Sequence, residues 1–250
     1  MGTPILLLRL EGPLQSWGTR SRWDVRDTEP EPTKSGIIGL LGCALGYPMY
    51  DPRLEVLDKS LRFAVRVENP GRMLVDYQTI TDYLPTADGR FKVKGTTLAG
   101  PALKLREEGI EPATILSSRA YLADAAFLAA VEQVESGAVL LTDSARALQH
   151  PKWPLFLGRK ACIPTRPIYE TLTSDYDSLE DALRRHPWSW LATRSALRVV
   201  LKQQLQVFVE ESDQAHGPNI SQRQDAIQTN SARLYGFRSV KRLSVDFPNS

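Results

Sequence analysis

Apolar residues run without a break from Ile5 to Leu8, with Leu10 just beyond, and predict a short strand at the start of the chain. A polar stretch of loop character follows, from Glu11 to Thr33. Ile37, Leu40, Leu41 and Ala44 then recur at helical spacing, so Lys34 to Gly46 reads as a helix with one buried face. Tyr47-Pro48 stops it, and Asp51 to Lys59 reads as a short helical turn. Leu61 to Glu68 alternates in the strand manner, Asn69-Pro70-Gly71 is a turn, and Met73 to Thr79 is a second strand. Arg90 to Lys94 and Leu103 to Arg106 both alternate basic and apolar residues, with a glycine-rich turn between them. They predict a two-stranded arm inserted over residues 80–112 with one positive face. Further on, Thr114 to Tyr121 reads as a strand, Ala123 to Val134 as a helix, and Thr142 to Gln149 as a short helix with Thr142 as N-cap. His150 to Pro164 is too rich in proline for regular structure. Leu179 to Arg185 predicts a helix, Leu197 to Val209 a long strand, and Leu234 to Phe247 a closing strand. The polar segment from Asp213 to Ser231 has no period and is expected to be mobile.

Strand, helix, strand, strand is the opening of a ferredoxin-like fold, the architecture of RNA-recognition (RRM-like) domains. The fold class expected is therefore α+β: a ferredoxin-like body over residues 1–79 and 113–250, an inserted β-hairpin over 80–112, and an irregular C-terminal portion.

Composition changes this picture little, but charge distribution does. The chain has 250 residues, 24% of them charged, and a net charge of +2. Three segments nevertheless hold several cations and no acid: Arg90 to Arg106, His150 to Ile168, and Arg233 to Arg242. Such segregation builds basic surface on a near-neutral protein and favours a polyanionic partner. Cys43 and Cys162 stand far apart, which gives neither a disulfide framework nor a zinc site. The N-terminal apolar run is too short for a membrane span and lacks the pattern of a signal peptide, so a cytoplasmic protein with no membrane partner is expected.

The chemistry-bearing residues bind rather than cut. The first loop carries Trp17, Arg20, Arg22, Trp23 and Arg26, a mixture suited to stacking on bases and pairing with phosphates. Gly36, Gly39, Gly42 and Gly46 line the helix after it. Two readings stand side by side: close packing of helix on sheet, and a bare helix start whose N–H groups meet a phosphate together with Lys34 and Ser35. Gly158-Arg159-Lys160 places a glycine beside two cations in a proline-bound loop, which suits the same ligand. Lys34-Ser35 is no P-loop, since Arg26 to Thr33 holds no glycine. No cluster of His, Asp or Glu has metal-ligand spacing, and neither metal nor cofactor is expected. His150, His186 and His216 are scattered and assemble no general acid–base pair.

Leu10 to Gly18 and Pro32 to Gly42, joined in order by Arg119 to Phe127, Phe156 to Pro164 and Tyr235 to Val240, strongly resemble the CasD family of subunits of the type I-E CRISPR surveillance complex, Cascade. The resemblance implies a non-catalytic subunit that caps the 5′ handle of the crRNA, with a protruding thumb laid across the guide. It implies the backbone subunit CasC and the large subunit CasA as partners, and target DNA indirectly through the complex. Candidate RNA contacts are Gln15, Ser16, Trp17, Gly18, Arg20, Arg22, Lys34, Ser35, Gly36, Arg119, Gly158, Arg159, Lys160, Arg238 and Arg242. In the thumb they are Arg90, Lys92, Lys94, Lys104 and Arg106. Trp17 and the backbone near Gly36 are expected to read extruded bases. Relatives in type I-C systems cleave repeat RNA with a tyrosine beside a lysine–histidine pair. Here Gln149, Arg185 and Ala215 precede the three histidines. The alternative, a metal-free endoribonuclease processing CRISPR repeat RNA, lacks that pair.

Overall fold

The computed structural model describes residues 3–19, 25–134, 140–188, 204–211, 217–228 and 234–246. In chain order the elements are β1 (Ile5–Glu11), β2 (Leu14–Gln15), β3 (Val25–Arg26), α1 (Lys34–Leu45), α2 (Pro52–Ser60), β4 (Leu61–Asn69) and β5 (Arg72–Thr81). They continue with β6 (Leu84–Pro85), β7 (Phe91–Val93), β8 (Thr96–Leu98), α3 (Ala102–Glu107), β9 (Thr114–Ala123), β10 (Ala126–Gln133) and α4 (Leu140–Gln149). The last are β11 (Tyr169–Thr173), α5 (Leu179–Arg185), β12 (Gln204–Glu211), β13 (Ile220–Gln228) and β14 (Leu234–Asp246). This is a mixed α/β architecture, rich in strands. Its chain divides into two compact units: Met1–Thr19, Thr28–Leu74 and Tyr121–Ser250 form the first, Arg20–Asp27 and Val75–Ala120 the second.

The first unit is built on a seven-stranded sheet in the order β11-β1-β10-β4-β12-β14-β13, each neighbouring pair antiparallel. All seven residues of β1 are buried, because both faces of the sheet are covered there. Period-two alternation divides them. Leu6, Leu8 and Leu10 pack with Ile37, Ile38 and Leu41 of α1 and with Ala145 and Leu148 of α4. Ile5 and Leu7 pack with Leu179, Ala182 and Leu183 of α5. At one end of that second face the apolar residues give way to Arg9, Arg66 and Glu68, all buried. Arg9 pairs with Glu68 at 2.7 Å, and Arg66 also pairs with Glu68. Arg66 donates to the carbonyls of Leu183 and His186, Arg9 to that of Pro187. The two guanidiniums thereby satisfy carbonyls that the end of α5 leaves without helical partners.

Four expectations are corrected. Ala123 to Val134 is not a helix: its core is strand β10 between β1 and β4, and its uniform apolarity reflects burial on both faces. Asp213 to Ser231 contains β13, an edge strand whose polar residues face solvent and whose Asp225 is buried; residues 213–216 and 229–231 lie outside the description. Leu103 to Arg106 is helical in α3, and the strand β7 pairs instead with β8. Helix α4 begins at Leu140, which places Thr142 inside it rather than at its N-cap. The part of the long predicted strand over 197–203 is outside the described residues.

In the second unit β9 pairs with β5 and, in parallel, with β3 through Val25↔Ser118 and Arg26↔Arg119. Strands β6, β7 and β8 form a small antiparallel sheet around Tyr83, Val93 and Leu105.

Candidate nucleic-acid interface

In the first unit, two of the sequence-predicted segments meet. The loop Leu155–Pro164 is anchored by Leu157 and Cys162, both fully buried. Leu157 N–H donates to the Cys162 carbonyl at 2.7 Å, and Cys162 N–H to the Arg159 carbonyl at 2.8 Å, which closes a tight turn over Gly158-Arg159-Lys160. Ser16 N–H donates to the Leu157 carbonyl at 3.1 Å and ties this turn to the first loop. Gly158 has φ +88° and lies so near the Ser16 carbonyl that no side chain fits there. At the apex Arg159 is half-buried, its guanidinium 4.8 Å above the Tyr121 ring, while Lys160 is exposed. Stacking on an aromatic ring restricts where a guanidinium can point.

The first loop has a different job from the one expected. Trp17 is 1% exposed and belongs to the core, so it offers no stacking platform. Its indole N–H donates to Gln15 Oε1 at 3.0 Å, and Gln15 Nε2 donates to the carbonyls of Leu10 and Ala125. Gln15 is wholly buried and its side chain is committed to the fold. A Cβ at Gly36 would lie 2.7 Å from the Trp17 ring, which decides the glycine question here for close packing. Ser16 is buried; Gly18 and Ser35 are partly exposed. Arg20 and Arg22 lie outside the described residues.

Helix α1 has no bare start. Thr33 accepts from Gly36 N–H at 3.2 Å, and Asp225 Oδ2 accepts from Lys34 N–H at 2.8 Å, so a carboxylate of the chain itself takes the position expected for a phosphate. Lys34 is buried and pairs with Glu210 at 2.7 Å and Asp58 at 4.0 Å. Arg238 is buried too, bound through two nitrogens to Asp225 at 2.7 and 2.8 Å. The side chains of Lys34 and Arg238 are therefore interior, and their placement corrects the expectation that they grip RNA. Arg242, by contrast, is exposed on β14.

In the second unit Arg90, Lys94, Lys104 and Arg106 are exposed, but each has an acid nearby: Asp88 at 3.6 Å, Glu111 at 2.7 Å, Glu108 at 3.7 Å and Asp82 at 3.9 Å. These acids fall outside or between the acid-free runs, which is why the sequence suggests a purer positive face. Lys92, half-buried on β7, has no such pair among the described residues. Arg119 is half-buried on β9 and donates to Ser117 Oγ at 3.5 Å.

Two participants escaped the sequence reading. Tyr121 seats Arg159, and Asp225 closes the helix start; neither belongs to a local pattern, since each meets its partner from a distant part of the chain. Trp153, 41% exposed between Lys152 and Pro154, is the large aromatic that the basic loop does present to solvent. Among the described residues no group of three or more His, Cys, Asp or Glu is placed to hold a metal ion, and no helix is long and apolar enough to cross a membrane.

The profile of the family described as CRISPR-associated protein (Cas_Cas5) matches residues 5–241. Over 168 residues the chain is 33% identical to the CRISPR system Cascade subunit CasD of Escherichia coli (strain K12), covering 66% of this chain and 69% of that relative. It is also similar to a chain solved in a CRISPR RNA-guided surveillance complex, with TM-score 0.65, 30% identity, and coverage of 98% of this chain and 91% of that one. A Cas protein known from a crystal structure matches with the same TM-score and identity, over 98% of each chain.

Proposed function

The chain belongs to the CRISPR-associated protein (Cas_Cas5) family, and on that premise we propose that it is a non-catalytic subunit of a Cascade-type surveillance complex that caps the 5′ handle of the crRNA. The observation that carries this reading is the junction of the Gly158-Arg159-Lys160 turn with Ser16. It holds two cations, Arg159 seated on Tyr121 and the exposed Lys160, side by side on a rigid base, a suitable grip for consecutive phosphates. The order β11-β1-β10-β4, with α1 and α4 in the connections, supports a ferredoxin-like reading of the body. Residues 80–112 are read as the thumb, with Arg90, Lys92, Lys94, Lys104 and Arg106 as its RNA contacts, and Arg119 as a contact outside it. The similarity to CasD supports a backbone subunit and a large subunit, CasC and CasA, as protein partners, and a cytoplasmic complex.

Absence of cleavage is supported by the state of His186. Its Nε2 lies 3.2 Å from Glu170 and its Nδ1 3.0 Å from the Tyr176 hydroxyl, with a side chain only 12% exposed. Burial, helped by Arg9 and Arg66, pushes its pKa down against the opposing pull of Glu170. An imidazole so enclosed is poorly placed to reach a 2′-hydroxyl.

The test is a salt titration of labelled 5′-handle RNA binding, with Arg159→Ala/Lys160→Ala beside the parent chain. The pair of substitutions is expected to weaken binding and to flatten the slope of log K against log salt by about 1.4, at about 0.7 per phosphate lost on a single strand. An unchanged slope overturns the assignment. A defined product from repeat RNA incubated in EDTA would instead favour the endoribonuclease.

A further inference from the structure

A groove of about 590 Å³ opens beside β12 and β14, in the first unit, within the ~300–1,000 Å³ range of small-molecule-sized sites. Its floor is apolar, with Val67 of β4 and Phe208 of β12, and Pro218 closes one side. Its polar side carries Gln206, Arg223 and Arg242. Phe208 and Arg242 are direct neighbours across the β12–β14 pairing, on the same face of the sheet.

The two arginines are in opposite states. Arg223 is neutralised: it pairs with Glu31, lies 3.5 Å from Glu29, and its guanidinium stands 5.7 Å from the Phe208 ring centroid. It forms a flat, fixed wall over an aromatic floor. Arg242 is exposed, and its Nε donates to Gln206 Oε1 at 2.7 Å. Among the described residues no carboxylate pairs with it. Arg238, four residues earlier on the same strand, is bound at both nitrogens by Asp225. One strand thus carries one sequestered guanidinium and one left for an outside anion.

We infer that this groove holds a single unstacked nucleotide of the bound RNA, its base over Phe208 and beside Arg223, its phosphate on Arg242. The combination selects that class of ligand. An apolar aromatic floor with a guanidinium wall accepts a planar heterocycle by stacking. An unneutralised arginine at the rim takes an anion joined to it. Asn219, exposed at the groove's edge, supplies amide groups of the kind that meet base edges. The inference rests on the RNA-binding reading above and adds a second point of attachment, separate from the Gly158-Arg159-Lys160 turn.

The experiment uses the full chain and a handle RNA carrying 4-thiouridine at one position at a time, irradiated and mapped by peptide mass spectrometry. The expected result is a cross-link from one nucleotide position to the peptides holding Phe208 or Asn219–Arg223. Arg242→Ala and Asn219→Ala, both at exposed positions, are expected to lower handle affinity roughly 5- to 100-fold, the range of one lost stacked and anchored nucleotide. Arg184→Ala, an exposed cation on α5, serves as the control and leaves affinity unchanged. Cross-links confined to Lys152–Lys160, with both groove variants binding normally, overturn the groove and leave the RNA-binding reading standing. Normal RNA binding by Arg242→Ala together with weakened assembly with the protein subunits also overturns it, since the occupant is then a protein segment. Failure of the parent chain to bind the RNA, alone or in its complex, overturns both.

Discussion

Gly158 and Ser16 stand in a relation that only glycine allows: the left-handed backbone at 158, φ +88°, presses its Cα against the Ser16 carbonyl. The contact binds a turn near the middle of the sequence to the loop after the first strand, and both hang from core residues, Leu157 and Trp17. Position 158 bears no charge, yet it sets where Arg159 and Lys160 can be.

Gly158→Ala is therefore expected to harm RNA binding as much as losing both cations does. The left-handed conformation costs a non-glycine residue on the order of 1 kcal/mol, and the collision with a backbone oxygen adds to it. The turn must lift off Ser16 to make room. Handle affinity measured beside Arg159→Ala/Lys160→Ala checks this; an affinity equal to that of the parent chain would mean that the junction is incidental.

Asp225 gives a prediction that separates two roles of the α1 start. Its carboxylate holds Arg238 and caps Lys34 N–H. Asp225→Ala leaves a buried guanidinium unpaired and an N–H exposed to nothing, a loss of about 3–5 kcal/mol in unfolding free energy by urea titration. Handle affinity of the folded fraction is expected to stay at the parent value or below. A gain in affinity would show that the helix start is an anion site which the aspartate merely blocks.

Asp58 predicts a pH dependence. It is buried, with Lys34 Nζ at 4.0 Å and Glu210 and Asp225 near enough to repel it. Burial, the largest influence, pushes its pKa up to about 6 despite Lys34 and a hydrogen bond from the Ile227 N–H. The folded chain therefore keeps a proton that the unfolded chain, with an ordinary carboxyl near pH 4, has released. Stability contributed by this group falls as pH rises from about 4 to 6 and stays lower above that. Asp58→Asn does not titrate, so its stability relative to the parent should improve by about 2 kcal/mol from pH 4.5 to pH 7.5. Urea midpoints at the two pH values measure it, and an equal difference at both would sink it.

Which parts of this molecule were legible in its sequence follows from the range of the interactions involved. Strand β4, helix α1, helix α5 and the closing strand β14 carry their own periodicity, and β1 is legible as an apolar run too short for a helix. Strand β10 does not: Ala126 to Val131 is apolar throughout because helices cover both sides of the sheet, and an even run cannot distinguish strand from helix. Strand β13 is polar because it is an edge, so its pairing with β14 leaves no local mark. The site shows the same division. A glycine beside two cations in a proline-bound loop makes Arg159 and Lys160 candidates, and the structure sets both on a tight turn. Nothing local distinguishes Lys34 and Arg238 from them, because their partners, Glu210 and Asp225, arrive from elsewhere in the chain.

The second unit carries the last prediction, which concerns charge rather than packing. Lys94 and Glu111 are both highly exposed and 2.7 Å apart, each stabilising the other's charged form: the lysine pKa is raised and the glutamate's lowered, in both cases first through their hydrogen bond. Such a pair contributes little to folding but occupies the ammonium. If this unit meets RNA, a phosphate must compete with Glu111 for Lys94. Glu111→Gln removes the competitor and leaves shape and fold intact. Handle affinity should rise at low salt, and the slope of log K against log salt should steepen by about 0.7, one more phosphate engaged. Lys94→Ala, which removes the pair from the other side, should leave the slope at the parent value, because that ammonium was already spoken for. A fall in affinity for Glu111→Gln would show that the carboxylate, not the lysine, is the group this surface needs.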